Sequence, residues 1–290
     1  MTATHTEVDL PAHVGVVGAG RMGAGIAHAF LSGGSTVTVT VVDVDEAAAA
    51  AAYAKVSDTV AASVERGTLA AGVEETVARL DAGASFGLLA GCDLVVEAVP
   101  EDLALKHAVL ARLGAVLAPT AVLASNTSSF SISALAAHTP SPERFLGLHF
   151  FNPVPRSRLV EVVVGAATDA AVVRRAEGWV DALGKTAVTV ADSPGFATSR
   201  LGLALGLEAI RMVEDGVASA ADIDTAMTLG YQHPVGPLRL TDLVGLDVRL
   251  GVADYLAEEL GERFAAPKLL RDKVAAGELG RKTGRGFHDW

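Results

Sequence analysis

The sequence predicts an α/β protein in which a mainly parallel sheet is followed by a smaller all-helical C-terminal domain. Over the first 191 residues, short runs rich in Val and Leu alternate with longer segments rich in Ala and Leu, as strands alternate with helices. Most of the short runs are apolar throughout, which is typical of strands covered by helices on both faces. Beyond the turn signal Asp192-Ser193-Pro194-Gly195 only helical patterns continue, so we predict two domains, 1–191 and 192–290.

The pattern assigns each element in turn. The predicted strands are 14–17, 36–42, 94–99, 121–124, 145–150, 159–164 and 187–190. The predicted helices of the first domain are 22–32, 46–65, 103–117 and 171–183, and those of the second are 201–214, 220–229, 238–259 and 267–276. An alanine run at 47–52 lies inside the second helix, because Ala has the highest helix propensity.

The composition excludes several classes of protein. Half of the 290 residues are hydrophobic and the mean hydropathy is +0.39, which is too high for a disordered chain. The net charge of −11 opposes binding to nucleic acid. The longest uncharged stretch, 113–142, is rich in Ser, Thr and Pro and does not fit a membrane span. The acidic segment 1–11 does not fit a signal peptide.

The cysteine and histidine content bears on metals and on the cell compartment. A single cysteine, Cys92, excludes an intrachain disulfide and favours a reducing, cytoplasmic location. The histidines have no spacing typical of metal ligands, so the sequence predicts no metal site. Those with no predicted role are His5, His13, His28, His107, His138, His233 and His288.

The strongest functional signal is the glycine-rich segment Gly18-Ala19-Gly20-Arg21-Met22-Gly23, which lies between the first strand and the first helix. Glycines at these positions permit a tight turn, a close approach of a pyrophosphate to the backbone, and close helix–strand packing. Asp43 follows the second strand, where an acid can bind an adenosine ribose diol and repel a 2′-phosphate. The competing interpretation is an ordinary strand–helix turn with a helix-capping acid. The agreement of glycines, context and acid favours a Rossmann-like NAD site.

Polar side chains gather at the predicted carboxyl ends of the strands, where ligands bind in open α/β sheets. They include Glu97, Glu101 and Lys106, the run Ser125-Asn126-Thr127-Ser128-Ser129, and His149 with Glu161. A neutral imidazole can accept an alcohol proton near pH 7, and a neighbouring carboxylate can orient it. His149 and Glu161 lie on successive predicted strands and could meet. The alternative is that His149 is a packed or surface residue.

The whole chain from Val14 to Trp290 resembles the L-3-hydroxyacyl-CoA dehydrogenase family, which includes bacterial 3-hydroxybutyryl-CoA dehydrogenases. Several of the shared motifs are long and specific. They are GAGRMGAGIA at 18–27, DLVVEAVPED at 93–102, LASNTSSFSI at 123–132, GLHFFNPVP at 147–155, LVEVV at 159–163, DSPGF at 192–196, DIDTAM at 222–227, HPVGPL at 233–238, GLD at 245–247 and GRKTGRGF at 280–287.

The resemblance implies an NAD-binding domain joined to a helical domain that binds substrate and forms a homodimer. It implies that His149 is the catalytic base, that Glu161 is its carboxylate partner, and that Ser128 contacts substrate and nicotinamide. The implied cofactor-binding residues are Gly18, Gly20, Met22, Gly23, Asp43, Glu101, Lys106, Ser128, Asn152 and Lys282. The implied reaction is the NAD-dependent interconversion of a short (S)-3-hydroxyacyl-CoA and its 3-ketoacyl-CoA.

Two departures from the family pattern leave the substrate open. Ser199 stands where the family usually has an Asn that helps to hold the substrate, and Ser offers fewer hydrogen bonds. The second helix, usually rich in lysines that bind CoA phosphates, keeps only Lys55 and Arg66. The same chemistry on an acyl-carrier-protein thioester or on a free hydroxy acid is therefore the alternative. A non-catalytic NAD-sensing protein on the same fold is a third reading.

Overall fold

The structure is a computed structural model that describes residues 10–290. It forms two compact units, one ending at Ser193 and the other running from Pro194 to Trp290. Residues 1–9, which include His5 and most of the segment with no signal-peptide pattern, lie outside the described residues. Within residues 10–290, no helix combines the length and the apolar character needed to cross a membrane.

The first unit contains an eight-stranded sheet in the order β3-β2-β1-β4-β5-β6-β7-β8. Its first six strands are parallel, and β7 pairs antiparallel with β6 and parallel with β8. The strands are β1 His13–Val17, β2 Thr38–Val42, β3 Leu80–Gly83, β4 Leu94–Glu97, β5 Val122–Ser125, β6 Phe145–Phe150, β7 Leu159–Val164 and β8 Thr186–Ala191. The predicted fold class is confirmed.

Helices alternate with the strands as predicted. The helices of this unit are α1 Arg21–Gly33, α2 Glu46–Glu65, α3 Val73–Val77, α4 Leu103–Val116, α5 Ile132–Ala136 and α6 Ala170–Ala182. The β1, β4 and β5 strands are almost entirely buried, which agrees with the apolar character of both their faces. Most of their valines pack in the core together with Ile26 and Phe30 of α1.

The sequence pattern missed β3, α3 and α5. These elements have only four or five residues, too few to show a period, and the β3 sequence Leu-Asp-Ala-Gly has a weak strand propensity. β3 forms because it adds to the edge of β2. The predicted strand 94–99 also ends early, at Glu97, shortly before Pro100.

The second unit is helical, with α7 Thr198–Glu214, α8 Ala220–Gly230, α9 Pro237–Val244, α10 Leu246–Leu260 and α11 Lys268–Ala275. The prediction of one helix over 238–259 is wrong, because the chain breaks at Gly245. Gly245 has a φ of 108°, a conformation that side-chain-bearing residues rarely adopt. Leu203, Leu207, Leu246 and Leu256 are among the buried residues that pack these helices together.

The topology places the ends of the parallel strands at one edge of the first unit. Val17, Val42, Glu97, Ser125 and Phe150 are the last residues of their strands. Because β7 runs back along β6, Glu161 lies directly opposite His149 in the register. The carboxyl-end residues singled out in the sequence therefore share this edge of the sheet.

Candidate active site

The glycine-rich turn has the geometry of a dinucleotide site. Gly18 has a φ of 92°, and a Cβ there would lie 2.8 Å from the carbonyl oxygen of Ala98. A Cβ on Gly23 would collide with the Gly18 carbonyl oxygen. Glycine is thus required at both positions, for the turn and for close helix–strand packing.

The start of α1 fits a bound pyrophosphate. Gly20 is the N-cap residue, and within the described chain no side chain caps this helix end. A Cβ on Gly20 would meet nothing within 4 Å, so the backbone is open to a close ligand. Backbone N–H groups and the helix dipole favour an anion there. Met22 contributes its backbone to this turn, while its side chain packs against the core.

Asp43 is fixed against the same turn. One carboxylate oxygen accepts the Ala19 N–H at 2.7 Å and the other accepts the Val44 N–H at 2.6 Å. A carboxylate offers further lone pairs beyond these two bonds, so Asp43 can still accept hydrogen bonds from ribose hydroxyls. The residues present therefore fit NAD.

Glu97, Lys106 and Glu101 form an ionic network after β4. The Lys106 ammonium is 2.8 Å from a Glu97 oxygen and 3.3 Å from a Glu101 oxygen, and Glu97 and Lys106 are both buried. Burial by itself raises the Glu101 pKa. The Lys106 charge and the hydrogen bonds from Thr127 and Ser128 outweigh it and hold that pKa below its ordinary value. Glu101 is therefore an anion at neutral pH.

The Glu101 carboxylate fixes the segment that carries Ser128. One of its oxygens accepts the Thr127 hydroxyl at 2.6 Å, the Ser128 N–H at 2.9 Å and the Ser128 hydroxyl at 3.3 Å. The Ser129 hydroxyl donates to the same oxygen at 3.2 Å. The three predicted site residues Glu101, Lys106 and Ser128 are thus brought together.

His149 and Glu161 form a buried pair across β6 and β7. The His149 Nδ1 is 2.8 Å from Glu161 Oε2, and the two side chains are 8% and 0% exposed. The His149 ring also lies 4.3 Å from the Phe151 ring, centroid to centroid. A carboxylate at Nδ1 selects the tautomer with the proton on Nδ1, so the basic lone pair is on Nε2. The contact between His149 and Glu161 that the sequence allowed is present in the structure.

The loop after β6 is anchored by a residue that sequence reasoning left without a role. Asn126 Oδ1 accepts the Phe150 N–H at 2.8 Å and so ties the end of β5 to the end of β6, next to His149. The feature of the sequence that could have pointed to Asn126 is its position directly after β5. Asn152, a predicted cofactor-binding residue, lies exposed on the loop that follows.

A cavity of about 430 Å³ lies in the first unit near the end of α2. Arg66, Arg156 and Lys185 line it, and among residues 10–290 its lining includes no Asp or Glu. Lys185 donates to the carbonyls of Val154 and Ser157 at 2.7 and 2.6 Å, and burial lowers its pKa. The cavity is cationic although the chain has a net charge of −11. Its cations come from separate segments, and only Arg66 was foreseen.

The remaining predicted residues are placed as follows. Lys55 is exposed on α2, eleven residues before Arg66 and hence about three helical turns away. Ser199 lies half-buried in the first turn of α7, in the helical unit. Lys282, in the same unit, has its ammonium 2.6 Å from both carboxylate oxygens of Asp247. This contact lowers the Asp247 pKa against the opposing effect of its partial burial.

Two family models account for nearly all of the chain. The NAD-binding domain of 3-hydroxyacyl-CoA dehydrogenase matches residues 13–193, and the C-terminal domain of the same family matches residues 195–290. The chain therefore belongs to the 3-hydroxyacyl-CoA dehydrogenase family, a class of NAD-dependent oxidoreductases. The predicted family, fold class, enzyme class and cofactor are confirmed.

Relatives that align with nearly the whole chain support the same family. The chain is 43% identical to a 3-hydroxybutyryl-CoA dehydrogenase of Mycobacterium tuberculosis, over 96% of this chain and 98% of that one. The crystal structure of M. tuberculosis FadB2 matches with a TM-score of 0.91 and 43% identity, over 97% and 100% of the chains. The crystal structure of (S)-3-hydroxybutyryl-CoA dehydrogenase PaaH1 from Ralstonia eutropha also matches with a TM-score of 0.91. Its sequence identity is 39%, over 97% of this chain and 99% of that one.

Proposed function

We propose that this protein interconverts a short (S)-3-hydroxyacyl-CoA, such as 3-hydroxybutyryl-CoA, and the corresponding 3-ketoacyl-CoA, with His149 as general base. The observation that carries the proposal is the buried His149–Glu161 pair, at the sheet edge where the dinucleotide turn also lies. The names of the two dehydrogenases reported above support the choice of acyl group.

His149 moves a proton in this proposal. When bound, NAD would supply the acceptor for the hydride that leaves the carbon bearing the hydroxyl group. His149 takes the hydroxyl proton at Nε2, and the Glu161 carboxylate stabilises the imidazolium that forms. Ketone reduction uses the same groups in reverse, because His149 then returns the proton.

The other site residues hold ligands. Gly18, Gly20, Met22, Gly23 and Asp43 are proposed to bind the adenosine and pyrophosphate parts of NAD, since their turn fits an anion and a diol. Glu101 is proposed to orient Ser128 toward substrate and nicotinamide. The family resemblance assigns further cofactor contacts to Lys106, Asn152 and Lys282 and a substrate contact to Ser199.

The cationic cavity favours CoA as the carrier. CoA has a 3′-phosphate on its adenosine, whereas the phosphopantetheine arm of an acyl carrier protein has no adenosine. Arg66 and Arg156 would pair with that phosphate, and Arg is well suited to phosphate recognition. Lys55 would add a more distant charge. These cations compensate for the lysines that α2 lacks, so the carrier-protein and free-acid alternatives rank second.

We further propose a cytoplasmic homodimer. The helical unit carries strongly exposed apolar side chains, among them Leu201 at 71%, Leu229 at 79% and Tyr231 at 76%. Exposed apolar surface of this kind is typical of subunit interfaces. The single, buried Cys92 is in keeping with a reducing compartment.

The proposal is tested by measuring NADH formation from one 3-hydroxybutyryl group on CoA, on 3′-dephospho-CoA, on N-acetylcysteamine and on acyl carrier protein. We expect CoA to be preferred over dephospho-CoA by about 10- to 100-fold in kcat/KM, as for loss of a charged hydrogen bond. Arg66→Gln should remove most of that preference. Arg174→Gln, an exposed residue outside the cavity lining, should not.

Other outcomes of this panel are informative. Equal rates on CoA and dephospho-CoA would overturn the role of the cavity but leave the reaction intact. A preference for the carrier-protein thioester would establish the alternative carrier. No turnover of any thioester would refute the proposed substrate class.

A further inference from the structure

The Glu97 carboxylate takes no part in proton transfer, yet it lies fully buried beside the dinucleotide turn. Glu97 ends β4 and pairs in register with Val17, the residue before Gly18. The next residue, Ala98, has its carbonyl oxygen 2.8 Å from the Cβ position of Gly18. Fully buried carboxylates are rare and need partners.

Both oxygens of Glu97 are engaged by groups from different segments. One accepts the Val99 N–H at 2.8 Å and the Lys106 ammonium at 2.8 Å. The other accepts the Ser125 hydroxyl at 2.5 Å. Glu97 thus connects the loop after β4, the first turns of α4 and the end of β5.

Lys106 passes this constraint on to Glu101. An ammonium has three protons, and the Lys106 ammonium has three oxygen partners, on Glu97, Glu101 and the Val99 carbonyl. The ammonium therefore sits between two carboxylates and holds one Glu101 oxygen, while Thr127, Ser128 and Ser129 hold the other. Ser125 leads directly into the Thr127–Ser129 segment, so Glu97 acts on that segment from both sides.

Stability alone is a poor reason for such a network. A buried ion pair can often be replaced by apolar side chains of similar volume with no loss of stability, since its desolvation cost offsets its attraction. A demand for a fixed position explains a buried Glu–Lys–Glu arrangement at this edge better.

We propose that Glu97 is a positioning residue of the cofactor site. It holds Lys106 and Ser125, and through them it sets the orientation of the Glu101 carboxylate and of the segment that carries Ser128. This inference rests on the proposed contacts of Glu101 and Ser128 in the function described above.

The test is NADH affinity, measured by fluorescence titration without any acyl substrate. Glu97→Gln keeps the size of the side chain but removes its charge, so the ammonium shifts toward Glu101. We expect NADH to bind about 10-fold more weakly or worse, the cost of disturbing a charged hydrogen bond. Glu177→Gln removes a charge on α6 whose one hydrogen-bond partner among residues 10–290 is the Thr189 hydroxyl, and it should leave the affinity unchanged. An affinity of folded Glu97→Gln within about twofold of wild type, well inside the effect of one charged hydrogen bond, would overturn the inference.

A double variant separates positioning from charge compensation. Glu97→Gln with Lys106→Met removes the uncompensated ammonium, so the melting temperature should recover and a folded protein is secured. NADH affinity should stay low and below that of Lys106→Met alone, because Glu101 loses the ammonium that ties it to Glu97 and Ser125 loses the Glu97 charge, although Thr127, Ser128 and Ser129 still hold the other Glu101 oxygen. Recovery of both quantities would mean that Glu97 only neutralises Lys106, and the inference would fail.

Glu101→Gln distinguishes a failure here from a failure of the proposed function. If Glu101→Gln weakens NADH binding while Glu97→Gln does not, only the role of Glu97 is lost. If neither does, the assignment of Glu101 to the cofactor falls as well.

Discussion

Among residues 10–193 of the first unit two histidines are buried, His149 and His28, and their surroundings differ in charge. As whole residues they are 6% and 5% exposed, so burial does not distinguish them. His149 has the Glu161 carboxylate 2.8 Å from Nδ1. His28 has the Ser63 hydroxyl 3.0 Å from Nε2 and lines the cavity to which Arg66 and Lys185 contribute.

The contrast shows how neighbours decide what a histidine can do. Burial, and then the charges of Arg66 and Lys185, lower the pKa of His28 from 6.5 to about 4. His28 is therefore neutral at pH 7, but its proton affinity is too low for it to be an effective general base. His149 has an anion beside it, which stabilises the protonated ring that a base must become. Either ring could have been singled out by residue type alone, and only the partner separates them.

The largest expected effect is the loss of the His149 ring. His149→Ala should lower kcat for 3-hydroxybutyryl-CoA oxidation by about 10³- to 10⁴-fold, near the upper end of what a general base supplies. NADH affinity should be unchanged, because the dinucleotide turn is untouched. His28→Ala is the matched control, and it should lower kcat by less than about tenfold, far below a general-base effect. A variant at His149 that keeps more than a tenth of wild-type kcat would refute its role.

The sequence left the contact between His149 and Glu161 open, because it placed them on successive strands without fixing the register, and only the family resemblance implied the pair; the structure supplies the register. The dinucleotide turn could be predicted from the sequence, because its glycines and Asp43 lie close together along the chain in a recognisable pattern. The cavity could not be foreseen. His28, Arg66, Arg156 and Lys185 come from four segments, and no local pattern links residues so far apart.

The role of Glu97 was hidden for a different reason. Its position at a strand end was visible, and the sequence placed it among the polar carboxyl-end residues. Its full burial against Lys106 depends on how α4 packs beside β4, which periodicity does not determine. The break at Gly245 was missed because an isolated glycine inside an apolar helical pattern is usually tolerated.

The next effect in size comes from neutralising the partner of His149. Glu161→Gln keeps an oxygen acceptor for Nδ1 but removes the charge that stabilises the imidazolium, so it makes His149 more like His28. We expect kcat to fall by about 10²- to 10³-fold with little change in KM. Glu177→Gln on α6 is the charge-matched control and should retain wild-type kcat. If Glu161→Gln had wild-type kcat, the carboxylate would be structural and the comparison between the two rings would lose its basis.

The smallest effect concerns stability and belongs to His28. Because its pKa is about 4 in the folded chain and near 6.5 when unfolded, the unfolded state binds more protons between these values, and stability falls as pH falls through this range. From pH 7.5 to pH 4.5 this histidine should cost the wild type about 2 to 3 kcal/mol of unfolding free energy, measured by urea denaturation. His28→Gln, whose amide can still donate to Ser63, should lose about 2 to 3 kcal/mol less unfolding free energy than the wild type over the same pH change. Arg174→Gln, at an exposed site with a group that stays protonated throughout this range, should follow the wild type. If the unfolding free energies of His28→Gln and the wild type had the same pH dependence, His28 would take up its proton equally well in the folded and unfolded chains. The contrast between His28 and His149 would then fail.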